Sequence, residues 1–299
     1  MKIKNFAIEL LRTLHKNGII TSKIFITIIS FIIFKKLLNW KDINLNLRLN
    51  EKLQVYKLTI NNHPLVNIIA DKLAIRSYVN KKVDINFTKI IFKTNQLTNF
   101  NFNSLKVPLV IKTNHGSGMY DIIKKPEIVN WTDKISTYIQ WTSKNFYYVW
   151  AESQYKKISP FLYGEELLEN DDSDIIDYKF HCFNGKVEFI HIASDRMRET
   201  KRNFFDIDWN EMNMYWGPID KFQNRTRARN LNLKRPNLLN EMVNIARTLS
   251  SDFDYVRVDL MICREKIYFG ELTLHPGSGF EFFQPESLDF YYGSKLRLN

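Results

Sequence analysis

At 299 residues, with 44% hydrophobic and 25% charged side chains, the chain is globular and long enough for a sizeable core spread over two or three lobes. Its 43 Lys and Arg against 32 Asp and Glu leave a net charge of +11, which favours an anionic partner (nucleotide, acidic polysaccharide, membrane surface or nucleic acid) without choosing among them. Cys182 and Cys263 have no metal-ligand spacing and form no disulfide framework, so a reducing cytosol is the simpler setting.

The first apolar run, residues 24–34 (IFITIISFIIF), falls short of the roughly 20 residues a spanning helix needs. Lys35 and Lys36 close it with no small-residue cleavage site, which argues against a signal peptide. Two readings stay open: a buried helix capping the domain, or a basic-flanked helix resting on the inner leaflet, with Lys2, Lys4, Arg12 and Lys16 adding attraction to anionic lipid. Residues 51–58 (EKLQVYKL) and 71–79 (DKLAIRSYV) then carry apolar groups near a helical period. Lys72 and Arg76, four apart in the second, share one helix face, which on its own reads as solvated. A strand is expected over 88–92 and a loop over 95–103.

Residues 107–120 (VPLVIKTNHGSGMY) read as a buried strand that delivers Lys112 to a turn with glycines at 116 and 118. A lysine followed by a glycine loop can bring an ammonium and backbone N–H groups to a phosphate chain, although a surface hairpin turn explains the pattern equally well. The stretch is neither a P-loop nor a dinucleotide fingerprint. After an aromatic-rich helical stretch over 131–150, residues 161–163 give a short strand, and Glu165-Glu166-Leu167-Leu168 follow it as a hinge between lobes would. Residues 177–189 (DYKFHCFNGKVEF) form a hairpin around Asn184-Gly185, with Asp177, Lys179 and His181 on one face. His181 reads as a satisfied strand residue and receives no chemistry. Residues 195–236 lack an apolar period and read as a long loop, either solvated or a lid, with Arg225, Arg227, Arg229, Lys234 and Arg235 in a short span. Residues 238–249 return to an amphipathic helix.

The most informative stretch is 255–280 (YVRVDLMICREKIYFGELTLHPGSGF), two strands joined by a tight turn at Arg264-Glu265. Alternation places Arg257 and Asp259 on one face and Glu271 and Thr273 on the same side if the hairpin is in register, with Val256, Val258, Leu260, Phe269, Leu272 and Leu274 on the other. Two crowded carboxylates repel unless a cation lies between them, and oxygen-only ligands of this kind suit Mg²⁺ bridged to nucleotide phosphates. Taken alone, such a hairpin is as readily a solvated surface with one Arg–Asp pair. The tail His275-Pro276-Gly277-Ser278-Gly279, which can present backbone N–H groups to an anion, favours the site.

Taken together, DKLAIRSYV, VIKTNHGSG, the glutamate pair before Leu167, DYKFHCFNGK, the FD.DW element at 205–209, RVDL and YFGELT…GSG resemble the TupA-like branch of the ATP-grasp superfamily, over roughly residues 39–295. That resemblance implies an α+β fold of two lobes clasping ATP, with a helical extension at 1–38, a mixed helical region at 39–105 and the ATP-grasp lobes at 106–299, hinged near 161–169. It implies a cytoplasmic, ATP- and Mg²⁺-dependent carboxylate–amine ligase of surface polysaccharide biosynthesis, joining an amino acid or amine to an acidic sugar through an acylphosphate. A sugar kinase on the same fold and a non-catalytic anion-binding protein of a glycan-assembly complex are the alternatives; no nucleic-acid partner is implied. On the resemblance, Arg76 and Lys112 meet the nucleotide phosphates, and His115, Gly116, Ser117 and Gly118 cover them. Glu165, Glu166 and Leu167 form the adenine hinge, and Asp177 reaches the ribose. A role for Lys179 on the phosphates is our own inference. Asp259 and Glu271 match the magnesium carboxylates, and Thr273 stands where many ATP-grasp ligases have asparagine, a weaker ligand. Arg257 matches the arginine that steadies the acylphosphate, and Gly277, Ser278 and Gly279 match the turn on the carboxylate substrate.

Overall fold

The structure, a computed structural model, describes residues 2–41, 48–170, 175–194, 201–218 and 233–298, the side chains of residues 2–4 and 218 excepted. Two helices open it, α1 (Lys2–Lys16) and α2 (Ser22–Phe34). Thr21 Oγ1 accepts from Ile24 N to start α2, and a left-handed Lys35 ends it. Phe25, Ile26 and Ile29 are fully buried against Leu11, Leu38 and Ala151, so this face of the apolar run is a buried cap. Ile24, Ile28 and Phe31 on its other side stay exposed. No helix among the described residues is long and apolar enough to cross a membrane.

α3 (Leu49–Thr59), α4 (Val66–Ile69) and α5 (Ile75–Lys82) follow. The helix expected from residue 71 starts later, because Asp71 Oδ1 accepts from Leu73 N at 2.9 Å and Ala74 N at 3.1 Å in a turn before it. Lys72 therefore lies outside α5 and does not share a helix face with Arg76, correcting the sequence reading.

The first sheet is antiparallel in the order β1 (Ile90–Thr94), β4 (Leu162–Glu166), β2 (Leu109–Thr113), β3 (Tyr120–Ile123). α6 (Trp131–Ser143) covers one face, with Trp131 and Tyr138 in a core with Phe92, Phe102, Leu109, Ile111 and Leu162, and α7 (Tyr147–Trp150) follows. The pairing of β1 with β4 runs across the division expected at residue 105. β4 also includes both Glu165 and Glu166, which sit within the strand rather than after it.

The second sheet, also antiparallel, has the order β10 (Lys266–Thr273), β9 (Tyr255–Cys263), β5 (Asp177–Phe183), β6 (Lys186–Ser194), β7 (Lys201–Phe205). β8 (Tyr215–Pro218) pairs with β11 (Glu281–Gln284), and α9 (Ser287–Lys295) closes the chain. α8 (Leu239–Ser250) packs the apolar stripe Leu239, Met242, Ala246 and Leu249 against β5, β6 and β9, where Phe180, Cys182, Val256, Val258 and Leu260 face it in the core. The stretch read as one long loop over 195–236 thus contains β7 and β8, linked by a turn in which Asp206 Oδ1 accepts from Asp208 N at 2.9 Å and Asn210 N at 2.8 Å. Arg225, Arg227 and Arg229 lie outside the described residues; Arg235 is exposed and donates to Asn240 Oδ1 at 2.8 Å.

The hairpin register turns on one residue. Phe269 and Glu271 are two apart, so strict alternation would place them on the same face. A bulge at Gly270 separates them: Phe269 pairs with Leu260 on the core face, and Glu271 pairs with Asp259 on the polar face. A side chain at Gly270 would put its Cβ 2.9 Å from the Asp259 carbonyl oxygen, so only glycine lets the strands approach this closely.

Candidate active site

The face of the large sheet away from α8 carries a polar row built by register. Lys179 pairs with Asp259, and Asp259 with Glu271; one step along, His181 pairs with Arg257, and Arg257 with Thr273. Arg257 Nε donates to Asp259 Oδ1 at 2.6 Å, and its Nη2 reaches Asp259 Oδ2 at 2.7 Å, Glu271 Oε1 at 3.0 Å and Thr273 Oγ1 at 3.2 Å. Thr273 Oγ1 donates to Glu271 Oε1 at 2.9 Å, and Lys179 Nζ to Asp259 Oδ2 at 2.6 Å, with Asp177 Oδ2 3.6 Å from the same ammonium. The cation needed between the two carboxylates is therefore, in this structure, Arg257 itself. Burial pushes the Asp259 carboxyl up, but Arg257 and Lys179 outweigh it and hold the group below the usual carboxylate range. Glu271 is likewise held low: burial and Asp259 act against it, and Lys72, Arg257 and Lys179 prevail. Arg257 is raised by Asp259 in spite of burial and stays charged.

The small sheet presents the opposite arrangement. Glu165, buried on β4, accepts from Arg76 Nη2 at 3.0 Å and pairs with Lys112 from the neighbouring strand. Arg76 Nη1 also donates to the Thr88 carbonyl at 2.7 Å, and its guanidinium lies 5.3 Å from the Phe87 ring centroid. Glu166 is tied back by Lys89 N, which donates to its Oε1 at 2.9 Å, and Leu167 is half-buried at the strand's exit. The loop after β2 is fastened at its base. His115 is buried, with Nε2 2.8 Å from the Lys144 carbonyl, and Asn114 Nδ2 donates to Asp71 Oδ2 at 3.0 Å. Burial and Lys72 lower the His115 pKa, against the hydrogen bond to Lys144. Gly116 and Gly118 both adopt left-handed backbone, and Ser117 and Gly118 form an exposed tip.

A cavity of about 400 Å³ joins these parts. Its wall takes in Gly116 and Ser117 from the loop, Arg257, Glu271 and Thr273 from the polar row, and Gly277 and Ser278 from the turn after β10. Gly277, Ser278 and Gly279 are all left-handed, a conformation that two glycines make accessible, and Gln54 Nε2 fixes the turn by donating to the Ser278 and Gly279 carbonyls at 3.1 and 2.8 Å. The remaining predicted residues, Arg76, Lys112, His115, Gly118, Glu165, Glu166, Leu167, Asp177, Lys179, Asp259 and Gly279, do not line the cavity. Sequence reasoning missed Lys72, which lines the cavity and donates to the Gly116 carbonyl at 2.7 Å. Burial lowers its pKa, while Glu271 opposes that and Lys112 adds to it. Glu152 and Tyr155 on the wall were likewise not singled out, and His275 was read only as the start of the tail.

Among the described residues no three or more His, Cys, Asp or Glu side chains gather as a metal site. The donor set fits Mg²⁺ nonetheless, because that ion keeps waters and takes phosphate oxygens, so one or two carboxylates such as Glu271 and Asp259 meet its need.

The TupA-like ATPgrasp family model matches residues 51–297, and the chain belongs to that family. Its two antiparallel sheets and their helices are the α+β ATP-grasp fold. Among solved structures, the chain is similar to D-alanine–D-alanine ligase from Bacillus anthracis, at 16% identity and a TM-score of 0.43 over 83% of this chain and 66% of that one. It is also similar to the ATP-grasp ligase PsnB, at 9% identity and a TM-score of 0.37 over 75% of this chain and 60% of that one. For N5-carboxyaminoimidazole synthetase from Staphylococcus aureus the identity is 9% and the TM-score 0.39, over 71% of this chain and 46% of that one. The chain thus spans less than two thirds of each of these proteins. No protein of curated function matches it in sequence.

Proposed function

We propose that the protein is an ATP-dependent carboxylate–amine ligase of surface polysaccharide biosynthesis, activating the carboxylate of an acidic sugar as an acylphosphate that an amine or amino acid then displaces. The observation that supports this is the cavity whose wall combines Arg257, Glu271 and Thr273 with Lys72 and the Gly116–Ser117 loop. In this reading Arg76 and Lys112 exchange Glu165 for nucleotide phosphates, and Ser117 and Gly118 close over them. Glu166 and Leu167 border the base, Asp177 reaches the ribose, and Lys179 holds Asp259 in place for the metal. Mg²⁺, held by Asp259 and Glu271 with Thr273, would neutralise charge on the transferred phosphoryl group. Arg257 steadies the acylphosphate oxygens, and the left-handed Gly277–Gly279 turn borders the substrate carboxylate. The test is release of ADP and phosphate by the purified protein with glucuronate and a panel of amino acids. Release that needs both partners supports the ligase; phosphorylated sugar formed without an amine replaces it with a kinase.

The protein acts in this proposal at the inner face of the membrane. Phe6 and Leu10 of α1 and Ile24, Ile28 and Phe31 of α2 are exposed, and Lys16, Lys23 and Lys35 are exposed around them. Flotation with vesicles rich in anionic lipid, and none with neutral vesicles, is the expected result; equal recovery from both removes the membrane contact.

A further inference from the structure

The cavity that carries Arg257, Glu271 and Thr273 at one end meets a second polar group at the other. There Glu152, itself only 4% exposed, lines the wall with Tyr155, His275, Ser278 and the rings of Trp150 and Phe280. The local chain builds this placement. Ala151 ends α7 in a left-handed conformation and turns the chain into a tight bend, where Tyr155 N donates to the Glu152 carbonyl at 3.1 Å and Ser153 Oγ to the Lys57 carbonyl at 3.0 Å. Lys57 is fully buried behind that bend and is not part of the wall; its Nζ donates to Gln54 Oε1 at 2.8 Å and lies 4.6 Å from the Phe280 ring centroid.

Lys57 and Glu152 sustain each other in a place where neither charge is comfortable alone. Burial pushes Glu152 up to about 7 against the pull of Lys57 and a hydrogen bond with the Ser278 side chain, and it pushes Lys57 down to about 7 against the pull of Glu152. Of the pair, Glu152 lines the cavity and Lys57 does not. The wall thus holds Arg257 and Lys72 together with Glu271 in one group, and Glu152 as an acid among aromatic faces in the other. Carboxylate, hydroxyl and ring faces together suit an ammonium. His275 lines the wall beside Glu152. Its Nδ1 accepts from Gln154 Nε2 at 3.0 Å, so the ring hydrogen sits on Nε2, which is buried and has no partner among the described residues. Tyr155 lines the same wall, where burial first, then Glu152 and Glu271, raise its hydroxyl well above the ordinary value.

We propose that the Glu152 end of the cavity is the subsite for the amine co-substrate, Glu152 holding the ammonium and taking its proton while the Arg257 end holds the acylphosphate. This rests on the ligase reading above. Glu152 accepts one proton from the ammonium and leaves a free amine. The nitrogen lone pair forms the C–N bond to the acyl carbon, the bond from that carbon to the phosphate oxygen breaks, and its electron pair departs with phosphate. The second nitrogen proton goes to the leaving phosphate oxygen, which balances the step.

The test is equilibrium binding of butylammonium to the full chain by calorimetry, with butanol as the uncharged isostere. The wild type is expected to bind the ammonium and not the alcohol, and Glu152→Gln to weaken the ammonium by about tenfold or more. Because Glu152→Gln strands Lys57 as a lone buried cation, the double variant Lys57→Met with Glu152→Gln is measured beside it and is expected to show the same loss. Equal ammonium affinity in wild type and double variant, or equal binding of ammonium and alcohol by wild type, overturns the subsite. The ligase reading is judged separately, by hydroxamate formation in wild type from ATP, glucuronate and hydroxylamine. Absence of hydroxamate with Glu152-dependent ammonium binding removes the ligase reading and the chemistry assigned to the amine. Hydroxamate formed while ammonium binding ignores Glu152 removes the subsite alone.

Discussion

The two sheets meet the same electrostatic problem with opposite signs. In the small sheet one carboxylate, Glu165, is held by two cations, Arg76 at 3.0 Å and Lys112. In the large sheet one guanidinium, Arg257, is held by two carboxylates, Asp259 at 2.6 Å and Glu271 at 3.0 Å, and Lys179 adds a second cation on Asp259. The difference lies in how many links each charge has and how far it is from water. Arg76 and Lys112 keep side-chain exposures of 19% and 24% and so can change partners at modest cost, whereas Asp259, at 6%, is braced on both oxygens. One cluster is arranged to trade a carboxylate for a phosphate, and the other is a brace that aims Arg257 and Glu271 at the cavity.

Removing the anion from the brace should give the largest effect. Asp259→Ala leaves Arg257 and Lys179 as buried cations with too little counter-charge, and we expect it to destabilise the fold by about 3–5 kcal/mol as well as abolish turnover. A carboxylate that served the metal alone would lose turnover with the fold intact; the double bracing of Asp259 is what changes that. Denaturant unfolding of Asp259→Ala decides it, and a loss below about 1 kcal/mol would place Asp259 with the exchangeable group instead. The matching change in the small sheet, Lys112→Met, should leave stability nearly unaltered because Glu165 retains Arg76, yet weaken ATP binding by about 1–3 kcal/mol, the range for one charge-assisted hydrogen bond. Calorimetric titration with ATP reads it, and unchanged affinity would mean that Lys112 never leaves Glu165.

The contrast also marks what could be read in advance. Arg257, Asp259, Glu271 and Thr273 were legible because partners in a hairpin are close in sequence and alternation alone assigns their faces. The pairing of Glu165 with Arg76 spans 89 residues, and that of Lys179 with Asp259 spans 80, so no local pattern announces either. Lys72 looked solvated because a helical period was extended through it, whereas Asp71 caps the turn and delivers Lys72 to the glycine loop. β7 reads KRNFF, whose two charges mask a strand with Asn203, Phe204 and Phe205 buried. Glu152 carries no motif at all; what makes it notable is a cavity wall shared with His275, which exists only after folding.

The bulge at Gly270 keeps the two faces of the hairpin distinct, and it can be broken by one methyl group. In Gly270→Ala the new Cβ would lie 2.9 Å from a backbone oxygen that has little room to move, since Asp259 is hydrogen-bonded in its sheet on both sides. We expect about 1–3 kcal/mol of destabilisation, typical of overpacking, with Glu271 displaced from Arg257 and the ATP-dependent activity reduced more than the stability. A variant with wild-type activity and stability would show that the register does not depend on glycine here.

A third buried carboxylate sharpens the comparison from outside both clusters. Asp289, 2% exposed at the start of α9, is held by neutral donors: Asn50 N and Nδ2, both at 3.3 Å, and Phe283 N at 3.4 Å. Burial pushes its carboxyl up to about 6; those backbone bonds and the more distant Arg48 oppose the rise, and Glu51 adds to it. An unfolded Asp titrates near about 3.9, so between that pH and about 6 the unfolded chain has released a proton that the fold still binds. Stability from this group therefore falls as pH rises through that window, and the penalty is complete above it. Asp289→Asn removes the charge but loses part of the acceptor capacity, so we expect a net gain of only about 1 kcal/mol near neutral pH and none near pH 4. The quantity to measure is the difference in unfolding free energy between Asp289→Asn and wild type across that range, in which every other titrating group cancels. A difference that does not grow with pH would mean that three neutral donors stabilise the carboxylate as well as the paired cations stabilise Glu165 and Asp259, and the distinction between neutral and charged partners would fail in this protein.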